Sequence, residues 1–273
     1  MYKIVDKKKL SPTITLLKLD TPEIAKKVQP GQFVIIRVNE EGERVPLTVN
    51  DFDREKGTIT IVFQEVGKST KLMGRLNTDD YISDVVGPLG KHTEIEKFGK
   101  VICIGGGVGT AVIYPVTRAL YQAGNEVIGI VGARNEGLLT FTEEMEAVTN
   151  KLIITTDDGS KGRHGLVTDP LKEMLESGER IDRVIAIGPA IMMKFVCKTT
   201  EPHKVKTIVS LNPIMLDGTG MCGVCRVSVG GEIKFGCVDG PEFDGHQVDF
   251  DSLINRLSQY VAEEKISLAT IEG

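Results

Sequence analysis

Between Lys100 and Cys197 four short apolar runs alternate with stretches of helical periodicity, and no other feature constrains the fold as tightly. The runs are Lys100 to Gly105, Glu126 to Val131, Leu152 to Thr156 and Arg183 to Ile187. Nearly continuous apolar runs of this length read as strands buried on both faces. Thr110 to Ala123, Phe141 to Val148 and Leu166 to Leu175 read as the intervening helices, and Pro189 to Cys197 opens a further one. Strands joined through helices pair in parallel with right-handed crossovers, so this segment predicts a doubly wound α/β nucleotide-binding sheet.

Ligands of such sheets gather at the carboxyl ends of the strands. Gly106, Gly107, Val108, Gly109 and Thr110 follow the first run and open a helix there. Glycines in that place let backbone N–H groups and the positive helix terminus meet a pyrophosphate, although a plain tight βα turn uses the same residues. Arg134 follows the second run, Asp157 the third, and Gly188, Pro189, Ala190 and Met192 the fourth. No acidic residue ends the second run, so the residues leave open whether a nucleotide bound there carries a 2′-phosphate.

The first hundred residues have a different texture. Ile14 to Leu19, Gln32 to Val38, Val45 to Val49 and Thr58 to Phe63 are short β-branched runs separated by Pro, Gly, Asn and Asp. They predict an antiparallel β-barrel or sandwich. A helix is expected from Ser69 to Leu76, and Gly87-Pro88-Leu89-Gly90 reads as a breaker. Gly67, Lys68, Ser69 and Thr70 stand at that helix start, where hydroxyls serve a phosphate or an ordinary N-cap equally well. The tail from Asp249 to Glu264 predicts one amphipathic helix capped by Asp251 or Ser252. The expected domains are 1–98, 99–207 and 208–273.

Five cysteines, an odd number, include three within sixteen residues. Met1 to Leu10 has no apolar core of a secretory signal, and no run of roughly 18 apolar residues occurs, so a reducing cytoplasm and no membrane span are expected. Clustered thiols there read as metal ligands or redox groups. The net charge of -5 and the lack of Trp argue against a nucleic-acid binder. The cluster segment is Asp217-Gly-Thr-Gly-Met-Cys222-Gly-Val-Cys225, with Cys237 beyond. Plant-type [2Fe-2S] loops carry Cys-x4-Cys-x2-Cys and a distant fourth Cys, and here Asp217 holds the first position. A carboxylate can ligate iron, so Asp217, Cys222, Cys225 and Cys237 form a candidate ligand set. His246 offers an alternative Cys3His zinc site. Cys103 and Cys197 fall in a strand and a helix and read as core thiols. No acid–base or nucleophile motif is present and no catalytic residue is assigned, which suits chemistry carried by a cofactor.

Arg44-Val-Pro46-Leu47-Thr48, the Gly-Gly-Gly-Val-Gly-Thr loop, Gly188-Pro-Ala-Ile-Met192 and the cluster segment together resemble the ferredoxin reductase-like flavoproteins. The resembling branch holds electron-transfer subunits of dihydroorotate dehydrogenase, sulfide dehydrogenase and bifurcating NADH-dependent ferredoxin:NADP oxidoreductase. Leu211 to Gly223, with Asp in place of Cys, resembles the last of these best. The resemblance implies FAD on the barrel. Pro46, Leu47 and Thr48 match the flavin strand, with Thr48 facing the ring; Val62, Phe63 and Gln64 match the adenosine or ribityl side, and Ser69 and Thr70 the pyrophosphate. The family's Arg position is held by Val45, with Arg44 one residue off. Gly106 to Thr110, Asp157 and Gly188 to Met192 match the nicotinamide nucleotide site, and NADH is expected there. The implied protein is an electron-transfer subunit. It passes electrons from NADH through FAD and a [2Fe-2S] cluster to a larger flavin and iron–sulfur partner, in a heterodimer that serves ferredoxin and NADP by electron bifurcation. A dihydroorotate or sulfide dehydrogenase subunit and a zinc-stabilised nucleotide-binding regulator are the alternatives.

Overall fold

The computed structural model describes residues 1–272, built around two seven-stranded sheets. The first contains β1 (Tyr2–Ser11), β2 (Ile14–Asp20), β3 (Phe33–Arg37), β4 (Arg44–Asp53), β5 (Thr58–Gln64), β6 (Tyr81–Ile82) and β7 (Asp84–Leu89). Helix α1 (Pro22–Ala25) follows β2, and α2 (Lys68–Arg75) follows β5. The order is β6-β1-β2-β5-β4-β3-β7, antiparallel throughout. β6 and β7 lie at opposite edges of the hydrogen-bonded order, so the sheet is an antiparallel half-barrel. Ile4, Leu17, Leu19, Ile36, Ile59, Ile61 and Phe63 fill its core.

Two of these strands depart from the sequence expectation. β1 reads as polar because Lys7, Lys8 and Lys9 crowd it, yet Ile4 is fully buried. The Lys7 ammonium donates to the Gly74 and Leu76 carbonyls at 2.7 and 2.5 Å and so closes the carboxyl end of α2. β7 runs through Gly87-Pro88, the expected breaker. It lies at the sheet edge, where a proline lacking N–H breaks no ladder.

The second sheet comprises β8 (Lys100–Gly106), β9 (Glu126–Ala133), β10 (Lys151–Thr156), β11 (Arg163–His164), β12 (Arg183–Ile187), β13 (Thr207–Ser210) and, after the β14 (Arg226–Val229) and β15 (Glu232–Phe235) hairpin, β16 (Glu242–Asp244). Its order is β11-β10-β9-β8-β12-β13-β16, parallel except for β16. Helices α3 (Gly109–Gln122), α4 (Thr142–Glu146), α5 (Thr168–Glu176) and α6 (Ala190–Thr200) supply the crossovers. Successive strands move outward from β8 first through β9 and then through β12, which makes β8 the switch point of the doubly wound sheet.

The segment after residue 207 is laced onto the rest. β16 pairs with β13 through Ile208–Asp244 and Ser210–Glu242. The expected single tail helix is two, α7 (Phe250–Leu257) and α8 (Val261–Glu272). Its cap is Asp249, whose carboxylate accepts the Ser252 N–H at 2.9 Å, rather than Asp251 or Ser252. The earlier start lets Phe250 and Leu253 enter the core beside Val184 and Val196. The α8 end returns to the half-barrel, where Arg75 donates to the Ile271 carbonyl at 2.9 Å.

The half-barrel and the parallel sheet meet at α3. Ile14 and Val62 pack against Ala111, and Arg118 pairs with Asp51 at 2.6 Å. A register shift between Val49 and Asp51 leaves Asn50 out of the β4–β5 ladder. Such a bulge re-aims a side chain, and the buried Asn50 amide donates to the Ala111 carbonyl at 2.5 Å. No helix among the described residues is long and apolar enough to cross a membrane.

Candidate functional site

One cleft of about 950 Å³ runs between the half-barrel and the carboxyl ends of the parallel strands. From the half-barrel, β4 contributes Pro46, Leu47 and Thr48, β5 contributes Val62, Phe63 and Gln64, and α2 contributes Thr70. The parallel sheet supplies Gly106, Gly107, Val108 and Gly109 after β8, Arg134 after β9, and Asp157 after β10. Gly188, Pro189 and Met192 complete the wall after β12. Residues from two antiparallel strands, one helix and the ends of four parallel strands therefore face a common space.

Two of these glycines sit in close contacts, and at Gly109 the contact is with backbone. A Cβ on Gly106 would collide with the Met192 sulfur, and one on Gly109 would strike the Ile187 carbonyl oxygen and stand 2.9 Å from the Gly188 Cα. The β8–α3 turn is thus pressed against the β12–α6 turn, which seats the amino end of α3 at the cleft wall.

Other expected residues stand elsewhere. Thr110 and Ala190 are buried and do not line the cleft. Gly67 caps α2, and the Thr70 hydroxyl donates to its carbonyl at 3.0 Å while accepting its N–H at 3.1 Å. Lys68 and Ser69 line a separate hollow of about 100 Å³ with Asn39, Glu41 and Glu43. There the Ser69 hydroxyl donates to the Glu43 carboxylate at 3.2 Å. Arg44 is exposed at the start of β4.

Phe33 and the 210–215 stretch are cleft residues that sequence reasoning missed. Ser210, Leu211, Asn212, Pro213 and Met215 line the wall with Pro241. The pairing of β13 with β16 brings them there, and three-residue to four-residue strands carry little periodicity to read.

The cysteine loop lies directly behind that wall. Gly218, Gly220 and Gly223 all have positive φ, at 75, 86 and 65°. The turn they permit wraps around Asp217, whose carboxylate accepts the Thr219 and Cys222 N–H groups, each at 2.8 Å. These donors hold the Asp217 carboxyl below the usual carboxylate range. Cys222 is exposed, whereas Cys225 and Cys237 are buried and not joined by a disulfide, the Cys225 thiol donating to the Cys237 sulfur at 3.1 Å. Burial, followed by the Cys225 contact, pushes the Cys237 thiol up to about 12. A bound cation reverses that preference, because a coordinating thiol is deprotonated outright.

The donor set fits an iron–sulfur cluster: Asp217, Cys222 and Cys225 come from one glycine-rich loop, and Cys237 returns beside Cys225 after the β14–β15 hairpin. It fits a single zinc ion less well. Among the described residues no three His, Cys, Asp or Glu side chains converge on one metal position. His246, the alternative fourth ligand, has its ring at 2.9 Å from the Thr200 hydroxyl beside α6. Cys103 and Cys197 are core thiols as expected, each pushed up to about 12 mainly by burial.

Comparison with known proteins divides the chain along the same lines. Residues 1–93 match an oxidoreductase FAD-binding domain, 103–198 an oxidoreductase NAD-binding domain, and 212–249 the iron–sulfur cluster binding domain of dihydroorotate dehydrogenase B. A Thermotoga maritima homolog of the dihydroorotate dehydrogenase B (NAD(+)) electron transfer subunit is 47% identical, over 98% of this chain and 94% of that protein. A probable electron transfer subunit of the same enzyme from Methanocaldococcus jannaschii is 34% identical, over 94% of this chain and 93% of that one. Among solved structures, the NADH-dependent reduced ferredoxin-NADP oxidoreductase, described for flavin-based electron bifurcation, aligns with a TM-score of 0.95 at 46% identity. That alignment covers 100% of this chain and 98% of the other.

Proposed function

Because this chain belongs to the ferredoxin reductase-like family of dihydroorotate dehydrogenase B electron-transfer subunits and their homologues, we propose that it is the electron-transfer flavoprotein subunit of a bifurcating NADH-dependent ferredoxin:NADP oxidoreductase. In this reading 1–98 binds FAD, 99–207 binds NADH and 208–273 carries a [2Fe-2S] cluster. A larger partner subunit receives the electrons and deals with ferredoxin and NADP.

A bound FAD would supply hydride exchange with NADH and release of single electrons, and a bound [2Fe-2S] cluster would supply a one-electron relay. The other roles fall to the chain's own residues. Pro46, Leu47 and Thr48 present the β4 edge to the flavin ring, and Thr48 offers it a hydroxyl. Val62, Phe63 and Gln64 flank its ribityl or adenosine arm, with Gly67, Lys68, Ser69 and Thr70 toward the pyrophosphate. On the Ser69 side this requires the Glu43 carboxylate to give way to the phosphates. Gly106 to Gly109, with Thr110 buried behind them, would set the amino end of α3 against the nicotinamide nucleotide, and Gly188 to Met192 would flank it. Asp217, Cys222, Cys225 and Cys237 hold the cluster.

The observation that carries this reading is the position of Phe33. It pairs with Thr48 across the β3–β4 ladder and lines the cleft. It also packs in one cluster with Met215, Cys225 and Cys237. The flavin seat and the two buried thiols are thus separated by a single layer of side chains, which suits electron transfer without a moving part. The family alternative, a dihydroorotate dehydrogenase electron-transfer subunit, rests on the Thermotoga maritima and Methanocaldococcus jannaschii relatives and differs only in the partner. Anaerobic purification tests the shared core: about one FAD and about two irons per chain are expected. A folded chain without flavin or iron absorbance contradicts it. Affinity capture from the native host then separates the partners, because the bifurcating reading requires a larger flavin and iron–sulfur subunit.

A further inference from the structure

A dinucleotide on a doubly wound sheet lays its pyrophosphate at the amino end of the helix after the first strand, here α3, and its two nucleosides reach to opposite sides. The strand order puts β9 and β10 on one side of β8, and β12 and β13 on the other. The flavin strand adjoins the second side. Phe33, which pairs with Thr48 across the β3–β4 ladder, packs against Met215 just beyond β13. A nicotinamide ring that meets the flavin therefore lies beside β12 and β13, and the adenosine beside β9 and β10.

The wall on the β12–β13 side is almost wholly apolar side chain or bare glycine. Gly188 and Pro189 follow β12, and Leu211 and Pro213 follow β13. Ser210 and Asn212 are the polar side chains on that stretch. Asn212 is exposed to the cleft between two buried neighbours, Leu211 and Pro213. Its backbone is pinned on both flanks. The Leu211 N–H donates to the Pro241 carbonyl at 2.9 Å. The Pro213 ring abuts Gly236, where a Cβ would stand 2.8 Å from the Pro213 Cγ. A following proline also confines Asn212 to extended backbone. The Asn212 amide has no hydrogen-bond partner among the described residues. An unpaired side-chain amide on a fixed backbone, at the end of the cleft where the ring must lie, is a preformed recognition group.

Resting on the proposed nucleotide site, we infer that Asn212 binds the carboxamide of the nicotinamide ring. The ligand's carboxamide offers an acceptor oxygen and an NH2 with two donors, and the Asn side chain offers the same set. The two amides can pair through reciprocal N–H···O bonds, which the single Ser210 hydroxyl cannot reproduce. A bond to the substituent at C3 also holds the ring against rotation about its glycosidic bond. Asn212 thereby decides which face of the ring is turned to the flavin.

The test titrates the FAD-loaded chain calorimetrically with three probes that leave oxidised flavin unchanged. They are NAD+, its 3-acetylpyridine analogue, in which a methyl group replaces the amide NH2, and ADP-ribose, which lacks the ring. The wild type is expected to bind NAD+ at least about 5-fold more tightly than the analogue, the worth of about one hydrogen bond. Asn212→Ala should abolish that preference and leave ADP-ribose affinity unchanged. Asn212→Asp keeps an acceptor for the ligand's NH2 and should keep the preference, which a packing role for residue 212 would not explain. A wild type that binds NAD+ and the analogue alike, an Asn212→Ala protein that still prefers NAD+ or that loses ADP-ribose as well, or an Asn212→Asp protein without the preference overturns the inference while leaving the nucleotide site standing. Failure of the wild type to bind even ADP-ribose overturns the nucleotide site and the inference together.

Discussion

The Asn50 amide donates at 2.5 Å to the carbonyl of Ala111, the group that Pro115 leaves without a partner four residues later in α3. A proline inside a helix removes one N–H and orphans the carbonyl one turn back. A buried orphan carbonyl is costly, and here a bulge in the half-barrel supplies the missing donor. One bond thus repairs a helix and docks the two halves of the cleft.

Asn50→Ala should lower stability by about 1–3 kcal/mol, the cost of an unsatisfied buried acceptor. In a Pro115→Ala background residue 115 regains its N–H, and the same Asn50 substitution should cost less. Denaturant unfolding of the four proteins measures the coupling. Equal costs in both backgrounds would show that Asn50 does not serve that carbonyl.

Gly109→Ala should cost about 1–3 kcal/mol through overpacking and weaken nucleotide binding. Its Cβ meets the backbone of Ile187 and Gly188, which has no side chain to swing away. Gly178→Asn, at φ 78 with open space around it, should change stability by less than about 0.5 kcal/mol. Thermal unfolding and ADP-ribose titration of both variants check the contrast; a tolerated Gly109→Ala contradicts the close approach.

Glu242 predicts a pH dependence. Burial raises its carboxyl above the usual range, against the Thr93 hydroxyl at 2.6 Å and the more distant Arg183 and His92 charges. The folded state then holds this proton more tightly than the unfolded chain. Its contribution to stability is present below the ordinary Glu value near about 4.3 and is lost as pH rises toward the folded value. Glu242→Gln keeps an acceptor for Thr93 without the charge, so its advantage over wild type should grow from about pH 4 upward. Parallel stability profiles for the two proteins would exclude Glu242 as the source.

Asp217 makes a spectroscopic prediction. An oxygen donor in place of sulfur alters the electronic structure of the iron it binds. Asp217→Cys should shift the electron paramagnetic resonance signal and the potential of the cluster. An Asp217→Ala protein with the wild-type signal and potential would mean that the carboxylate only shapes the loop, through its bonds to Thr219 and Cys222.

Much of this was legible in the sequence because its signals are local. The four buried strands of the parallel sheet, the β8–α3 glycines and the cysteine spacing each sit in one short window. The missed elements depend on partners far along the chain. β7 tolerates Pro88 only because no strand follows it in the sheet, and β16 is three residues long and exists by pairing with β13. Phe33 reads as an ordinary core residue, and only the folded chain places it between the cleft and the thiols. Ser69 reads as a phosphate ligand or a cap; the structure adds a third partner, Glu43, from a loop 26 residues away.

The central claim is that one chain takes electrons from NADH at the cleft and delivers them to its own cysteine loop. An anaerobic titration of the FAD-loaded, cluster-loaded chain with NADH tests it most directly, read by flavin absorbance and by the paramagnetic resonance of the cluster. Bleaching of the flavin band together with the appearance of a reduced-cluster signal is the predicted result. A chain that holds both cofactors, yet whose flavin band and cluster signal do not respond to NADH, would contradict the account.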